Sequence, residues 1–105
     1  MDLARGEVWW AAIPSDKDRH PVLILTRNRV IPVRNRVTVA PISSTHRGIP
    51  VEVALDEDDG LPHECWVNLD DIVTIPKYLL VQRITRLSLK KMSMIRDAVL
   101  VALGL

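Results

Sequence analysis

The chain has 105 residues, of which 48% are hydrophobic, and its formal net charge is +1. This length predicts a single domain over residues 1–105, since one core most often forms from about 100 to 150 residues. The sequence lacks the run of about 18 apolar residues that would cross a bilayer. Asp2 and Glu7 also stand where a secretory signal would be basic and then apolar. We therefore expect a cytoplasmic protein.

The charges are segregated along the chain. Residues 19–50 contain six arginines and no acid, and residues 51–76 contain eight acids and no lysine or arginine. Residues 77–105 contain six lysines and arginines and one acid. A basic face built from the first segment would attract phosphates, for which arginine offers bidentate contacts. Ordinary solvated charge is the alternative, because sequence segments need not become surface patches.

The first half of the chain predicts three strands. Residues 6–13 form the first strand and 14–19 a polar turn. Residues 21–26 are an apolar run that predicts a central strand covered on both faces. A loop or short helical turn over 27–35 precedes a strand at 36–42, and residues 43–48 form the loop that leaves it.

The second half predicts four more strands, at 51–55, 65–69, 72–75 and 81–85, with an acidic turn over 56–60. From Ser88 to Gly104 the apolar spacing predicts an amphipathic helix, with Ser88 as N-cap and Gly104 as stop. The stripe that packs on the sheet is predicted to be Leu89, Met92, Ile95, Val99 and Leu103. The predicted fold is mainly β: a strongly bent antiparallel sheet or small barrel with a C-terminal helix.

Several kinds of site are excluded by their missing motifs. There is no glycine-rich phosphate loop, no CxxC and no HExxH. His20, His46 and His63 lack the spacing of metal ligands, and no serine lies in the setting that a Ser-His-Asp hydrolase requires. We therefore expect no metal and no other cofactor. The only cysteine, Cys65, lies in an apolar stretch and predicts a buried thiol.

The remaining polar residues suit RNA cleavage by the RNA's own 2′-hydroxyl. That reaction needs a group that takes the 2′-OH proton, a group that protonates the leaving oxygen, and donors for the phosphorane charge. Residues 18–20 enter one predicted strand and residues 43–47 leave another, so antiparallel pairing would bring them to the same end of the sheet. Solvent-exposed turns without chemistry are the alternative.

Three motifs resemble those of the MazF/PemK toxins. They are Arg-Gly-Glu-Val-Trp-Trp at 5–10, His-Pro-Val-Leu-Ile-Leu-Thr-Arg-Asn at 20–28 and Val-Ala-Pro-Ile-Ser-Ser at 39–44, and residues 67–77 with the closing helix are also similar. The resemblance covers essentially the whole chain. It implies an SH3-like barrel, a homodimer and metal-independent, sequence-specific cleavage of single-stranded RNA to 2′,3′-cyclic phosphate and 5′-OH ends. The implied substrate is messenger RNA, or ribosomal or transfer RNA, and the implied partner is a MazE-like antitoxin of a type II toxin–antitoxin system.

The chain departs from the family pattern at one position. The family's catalytic arginine immediately precedes the proline, where this chain has His20, with Arg19 one residue earlier. An offset of one residue turns a side chain to the opposite face of a strand, so Arg19 could replace that arginine only through a shift or bulge. Alternatively His20 transfers the proton, because a histidine ordinarily titrates near neutrality, or the toxin is weakened or inactive.

The resemblance also implies the rest of the site. Ser43 stands where the family usually has threonine and keeps a hydroxyl donor, which Ser44 could share. The predicted catalytic residues are thus Arg19, His20 and Ser43. The predicted RNA-binding residues are Arg27, Ser44, Thr45, His46 and Arg47. Of the neighbours Trp9 and Trp10, one is expected in the core and the other either in a dimer interface or stacked on a base.

Two other functions remain possible at this point. The missing Arg-Pro pair would also fit a silent module of the same fold that binds RNA or the antitoxin without cutting. A fold-related toxin of the CcdB kind, directed at DNA gyrase, is a weaker alternative, because the C-terminal Val-Ala-Leu-Gly-Leu does not match the inhibitory residues of that group.

Overall fold

The computed structural model describes residues 2–14 and 17–105 and contains all seven predicted strands and the predicted helix. The strands are β1 (Glu7–Ala12), β2 (Arg19–Ile24), β3 (Arg36–Ser43), β4 (Glu52–Leu55), β5 (Cys65–Asn68), β6 (Val73–Pro76) and β7 (Leu80–Arg86). The helix α1 (Leu89–Leu103) follows, and short 3-10 turns occupy Ile31–Val33, Glu57–Asp59 and Lys77–Leu79. The turn predicted over 14–19 includes residues 15 and 16, which lie outside the described residues.

The strands form one antiparallel sheet in the order β4-β5-β3-β2-β1-β7, with β6 also paired to β3. Because β3 pairs with β2 and β6 in one part and with β5 in another, the sheet bends sharply along this strand. Two register shifts between β1 and β7 add to the curvature. In the described part of the chain β4, β6 and β7 each pair with only one strand, so the bent sheet predicted from sequence is confirmed without closing into a ring.

Two apolar clusters lie on the two faces of the sheet, and β2 contributes to both. Leu23 packs in the first cluster with α1, whereas Val22 and Ile24 pack in the second. All three side chains are buried, since alternate residues of a strand point to opposite faces. The prediction of a central strand covered on both faces is therefore confirmed. Cys65 is also buried in the first cluster, as predicted.

The helix is capped as predicted, and it packs through three of the five residues predicted for its apolar stripe, Met92, Ile95 and Val99. The Ser88 side chain accepts a hydrogen bond from the Lys91 amide, and Gly104 ends the helix with φ of 70°. Buried Ile95 and Ala98, with partly buried Met92, Val99 and Ala102, face the first cluster.

The prediction that Leu89 and Leu103 belong to this stripe is wrong, since they are 90% and 59% exposed. At about 100° per residue, Leu89 and Leu103 lie about 120° and 80° around the helix from Ile95, whereas Ala102 lies within about 20°. None of the helices among the described residues is long and apolar enough to cross a membrane.

Two further turns match their predictions. The loop over 27–35 contains the 3-10 turn Ile31–Val33, held in place by the Lys77 ammonium, which donates to the carbonyls of Ile31 and Arg34. The acidic turn over 56–60 is the 3-10 turn Glu57–Asp59. Its N-terminal end is fixed by a capping box in which Asp56 accepts from backbone amides and Asp59 accepts from the Asp56 amide.

Candidate active site

A cleft of about 510 Å³ lies at the end of the sheet where β2 begins and β3 finishes. Its polar lining consists of Arg19, His20, Ser43, Ser44 and His63. The segments 18–20 and 43–47, predicted to meet, therefore do so through residues 19, 20, 43 and 44. The remaining wall is apolar and includes Ile42, Leu61 and Cys65 of the first cluster.

The strand register decides which side chains share a face at this cleft. Strand β2 pairs with β3 through Val22–Pro41, Leu23–Ala40 and Ile24–Val39. Continuing this register by two residues places His20 opposite Ser43, and by three residues Arg19 opposite Ser44. Residues opposite each other on antiparallel strands share a face. The pairing of β2 with β3 itself ends at Val22–Pro41, and all four of these side chains line the same cleft.

The pairing of β2 with β1 also bears on the offset between Arg19 and His20. It runs without a shift through Trp10–Pro21, Ala11–His20 and Ala12–Arg19. Within these two described strands there is consequently no bulge that would bring Arg19 to the position before Pro21. His20 itself occupies the place of the family's arginine, and Arg19, the first residue of β2, also lines the cleft.

The hydroxyl of Ser43 is oriented by its own loop. Its Oγ accepts a hydrogen bond of 3.0 Å from the Thr45 amide, which is the local turn that serines favour at strand ends. The hydroxyl hydrogen of Ser43 remains available for donation, because this bond uses only a lone pair. Ser43 and Ser44 are both exposed at the cleft.

The rest of the loop is organised by the carboxylate of Glu52. Its Oε1 accepts from the amides of Arg47 and Gly48 at 3.1 and 3.0 Å and from that of Ile49 at 3.5 Å. The His46 ring stacks on Trp66 with ring centroids 4.5 Å apart, and its Nε2 lies 3.8 Å from Glu52 Oε1. The side chains of Thr45, His46 and Arg47 are exposed beside the cleft but do not line it.

Arg27 is separated from the cleft. It follows the end of β2 at Ile24, whereas the cleft lies at the start of that strand at Arg19. Six strand residues span about 17 Å between these ends. The structure therefore does not bring Arg27 together with the other residues predicted to bind RNA.

Trp9 and Trp10 differ in burial, as predicted for adjacent positions of a strand. Trp9 is 9% exposed in the second cluster, and its Nε1 donates to Glu7 Oε1 at 3.1 Å. Trp10 is half-buried and lines the cleft. It also lines an adjoining depression of about 610 Å³ with Lys17, Asp18 and Gln82. The indole of Trp10 thus lies beside Arg19 and His20 in both.

Two residues of the cleft with reactive side chains, His63 and Cys65, were not in the predicted site. His63 precedes β5, and Cys65 begins it. Burial, and then the nearby carboxylates of Asp59, Asp56 and Glu64, raise the pKa of the Cys65 thiol. Strand β5 pairs with the end of β3, where Trp66 lies opposite Ser43. This long-range pairing could not be predicted from the sequence alone.

Among residues 2–14 and 17–105, no group of three or more histidine, cysteine, aspartate or glutamate side chains is arranged to hold a metal ion. The polar side chains that line the cleft carry imidazole, guanidinium and hydroxyl groups. These can transfer protons and donate hydrogen bonds to a phosphate.

Comparison with known proteins gives consistent matches. Residues 4–103 match the family described as PemK-like, MazF-like toxin of type II toxin-antitoxin system. A Mycobacterium tuberculosis protein named "Probable endoribonuclease MazF5" is 40% identical over 100 residues, which are 94% of this chain and 91% of the relative.

Solved structures match equally well over the length of the fold. The Mycobacterium tuberculosis toxin MazF-mt6 superposes with a TM-score of 0.86 and 35% identity, covering 94% of this chain and 97% of the other. An endoribonuclease in complex with its cognate antitoxin from a mycobacterial species superposes with a TM-score of 0.88 and 29% identity, covering 99% of this chain and 97% of the other.

Proposed function

The chain belongs to the PemK-like, MazF-like toxins of type II toxin–antitoxin systems, and we propose from this premise that it is a metal-independent, sequence-specific endoribonuclease acting on single-stranded RNA. Relatives 40% and 42% identical to it are named endoribonucleases. The observation that carries the proposal is the cleft that Arg19 and His20 at the start of β2 line together with Ser43 at the end of β3.

Three side chains of the cleft have different roles in the cleavage reaction. His20 transfers a proton during the cleavage, because it occupies the family's catalytic position and histidine suits proton transfer at neutral pH. Ser43 donates its hydroxyl hydrogen to a non-bridging phosphate oxygen. The guanidinium of Arg19 stabilises the charge of the phosphorane. The products are a 2′,3′-cyclic phosphate and a 5′-hydroxyl.

The loop after β3 holds the flanking nucleotides. Ser44 lines the cleft, and Thr45, His46 and Arg47 follow it on an exposed segment. Because Glu52 fixes the backbone of residues 47–49, the guanidinium of Arg47 meets the RNA backbone from a preorganised loop. We include these four residues in the RNA-binding site and leave out Arg27.

The proposal extends to partners, location and organisation. A MazE-like antitoxin neutralises the protein, in keeping with the similar endoribonuclease whose structure contains its cognate antitoxin. The toxin acts as a homodimer of single-domain subunits in the cytoplasm, where its RNA substrate is found. Growth inhibition on expression without the antitoxin follows from loss of messenger RNA.

Two variants test the catalytic assignment. Ser43→Ala is expected to lower kcat by about 10²–10³-fold, the usual effect of removing one donor to an oxyanion. The double variant Arg19→Ala with His20→Ala is expected to abolish cleavage. Ser93→Ala, on an exposed position of α1, is the matched control and should cleave at the wild-type rate.

The measurement is the rate of cleavage of a labelled RNA that contains a mapped cut site, with binding measured separately on a 2′-deoxy analogue. Full activity of Ser43→Ala and of the double variant would contradict this site. A wild-type protein that binds the RNA but never cuts it would favour the silent binding module, for which the histidine in place of the family's arginine is the supporting observation.

A further inference from the structure

His63 lies in a wall of the cleft that the proposed chemistry has not used. It belongs to the segment between the acidic 3-10 turn and β5, whereas His20 and Ser43 come from β2 and β3. Strand β5 pairs with β3 through Ile42–Val67 and Ser43–Trp66, so this segment runs beside the end of β3. The cleft thus receives two imidazoles from different parts of the fold.

The hydrogen bond of His63 sets its proton distribution. Its Nδ1 lies 2.9 Å from the backbone carbonyl oxygen of Glu64. A carbonyl oxygen can only accept, so Nδ1 carries the hydrogen and donates it. In the neutral imidazole the proton is then absent from Nε2, which keeps its lone pair. This is the tautomer in which a histidine serves as a general base through Nε2.

The reaction requires such a second group. Cleavage by the 2′-hydroxyl moves two protons, one from O2′ and one to the leaving O5′, and a single side chain is poorly placed to serve both. A guanidinium such as that of Arg19 is a poor general base, and the raised pKa of Cys65 keeps its thiol protonated at neutral pH. His20 and His63 are the two imidazoles of the lining.

We propose, on the basis of the function proposed above, that His63 is a catalytic residue and the general base of RNA cleavage. Its Nε2 takes the 2′-hydroxyl proton while O2′ forms a bond to phosphorus. The bond from phosphorus to O5′ breaks, and O5′ receives a proton from the imidazolium of His20. The enzyme is left with protonated His63 and neutral His20, and exchange with water restores both.

The first test compares His63→Ala and His63→Gln with the wild type on an RNA containing a mapped cut site, in EDTA. Both variants are expected to lose about 10²–10⁴-fold in kcat, the usual contribution of a general base. Because His63 is exposed, its replacement should leave the thermal midpoint near that of the wild type. Glu64→Gln is the matched control, since it changes an exposed neighbouring side chain and keeps the backbone carbonyl that His63 contacts.

The second test assigns the role with an RNA whose leaving O5′ is replaced by sulfur. A thiolate leaves without protonation, so the general acid becomes unnecessary while the general base is still required. His63→Ala is expected to keep its full defect on this substrate, whereas His20→Ala should recover most of its activity.

Three other results are distinguishable. Wild-type cleavage that His63→Ala leaves unchanged would overturn this inference alone. Recovery of His63→Ala on the sulfur substrate would overturn the assignment as base. A wild-type protein that cuts neither substrate would overturn the proposed function and this inference with it.

Discussion

Substitution of Gly60 by alanine tests the packing of the turn that carries the His63 wall of the cleft. Gly60 ends the acidic 3-10 turn with φ of 94°, and its amide donates to the Glu57 carbonyl at 3.0 Å. A Cβ at this position would lie 2.4 Å from Thr85 Oγ1 and 2.8 Å from Thr85 Cβ. Alanine therefore meets both an unfavourable backbone conformation and a steric overlap.

The two costs can be estimated separately. A left-handed conformation costs a residue with a Cβ about 1–2 kcal/mol, and relief of an overlap in a packed region costs about 1–3 kcal/mol. Thr85 cannot easily turn away, because its hydroxyl donates to the Asp59 carbonyl at 3.0 Å. Gly60→Ala is consequently expected to lower the free energy of unfolding by about 2–5 kcal/mol.

Urea unfolding followed by tryptophan fluorescence measures this loss. Gly48→Ala is the matched control, since Gly48 has φ of 71° but no atom within 4 Å of an added Cβ. It should lose only the backbone part, about 1–2 kcal/mol. Equal losses in the two variants would refute the contact between the turn and Thr85. Addition of Thr85→Ala to Gly60→Ala should recover part of the excess, because it removes the nearest overlapping atom.

Three further predictions concern the loops and the thiol. Glu52→Ala removes the acceptor of three successive amides. It should lower the free energy of unfolding in urea by about 1–3 kcal/mol and raise the KM for RNA. An unchanged KM would show that the loop is not part of the RNA site. Lys77→Met loses the bonds from Nζ to two carbonyls of the 27–35 loop and should speed amide exchange there, whereas unchanged protection would contradict this anchoring. The pKa of the Cys65 thiol is raised from 9.0 in the folded protein, so alkylation at pH 8 should be slow until urea unfolds the chain, and rapid alkylation of the folded protein would argue against burial. The free energy of unfolding should fall as the pH rises above about 9, because there the thiol ionises fully only in the unfolded chain.

The local signals in the sequence were sufficient for the elements of the fold. The alternation of apolar and polar residues, together with the turn residues, located seven strands. Ser88 and Gly104 predicted both ends of the helix correctly. The helix stripe was less well defined, because Leu89 and Leu103 match a three-to-four spacing yet lie away from Ile95 on the helix. Only the position of the helix on the sheet decides which of its apolar residues are covered.

The part of the candidate site that lies on the neighbouring strands β2 and β3 could be predicted from the sequence. Pairing of β2 with β3 was sufficient to bring His20 and Ser43 to one end of the sheet. His63 could not be placed, because its position depends on β5 crossing to the end of β3. Arg27 lies near His20 in the sequence but at the other end of β2, since a strand carries successive residues away from each other.

Incubation of the purified wild-type protein with a long unstructured RNA in excess EDTA, followed by mapping of the cut sites and of their termini, tests the central claim most directly. We expect cuts at a short recurring sequence, each with a 2′,3′-cyclic phosphate and a 5′-hydroxyl. RNA that remains intact at high protein concentration, or cleavage that appears only when a divalent metal is restored, would contradict the assignment of a metal-independent endoribonuclease.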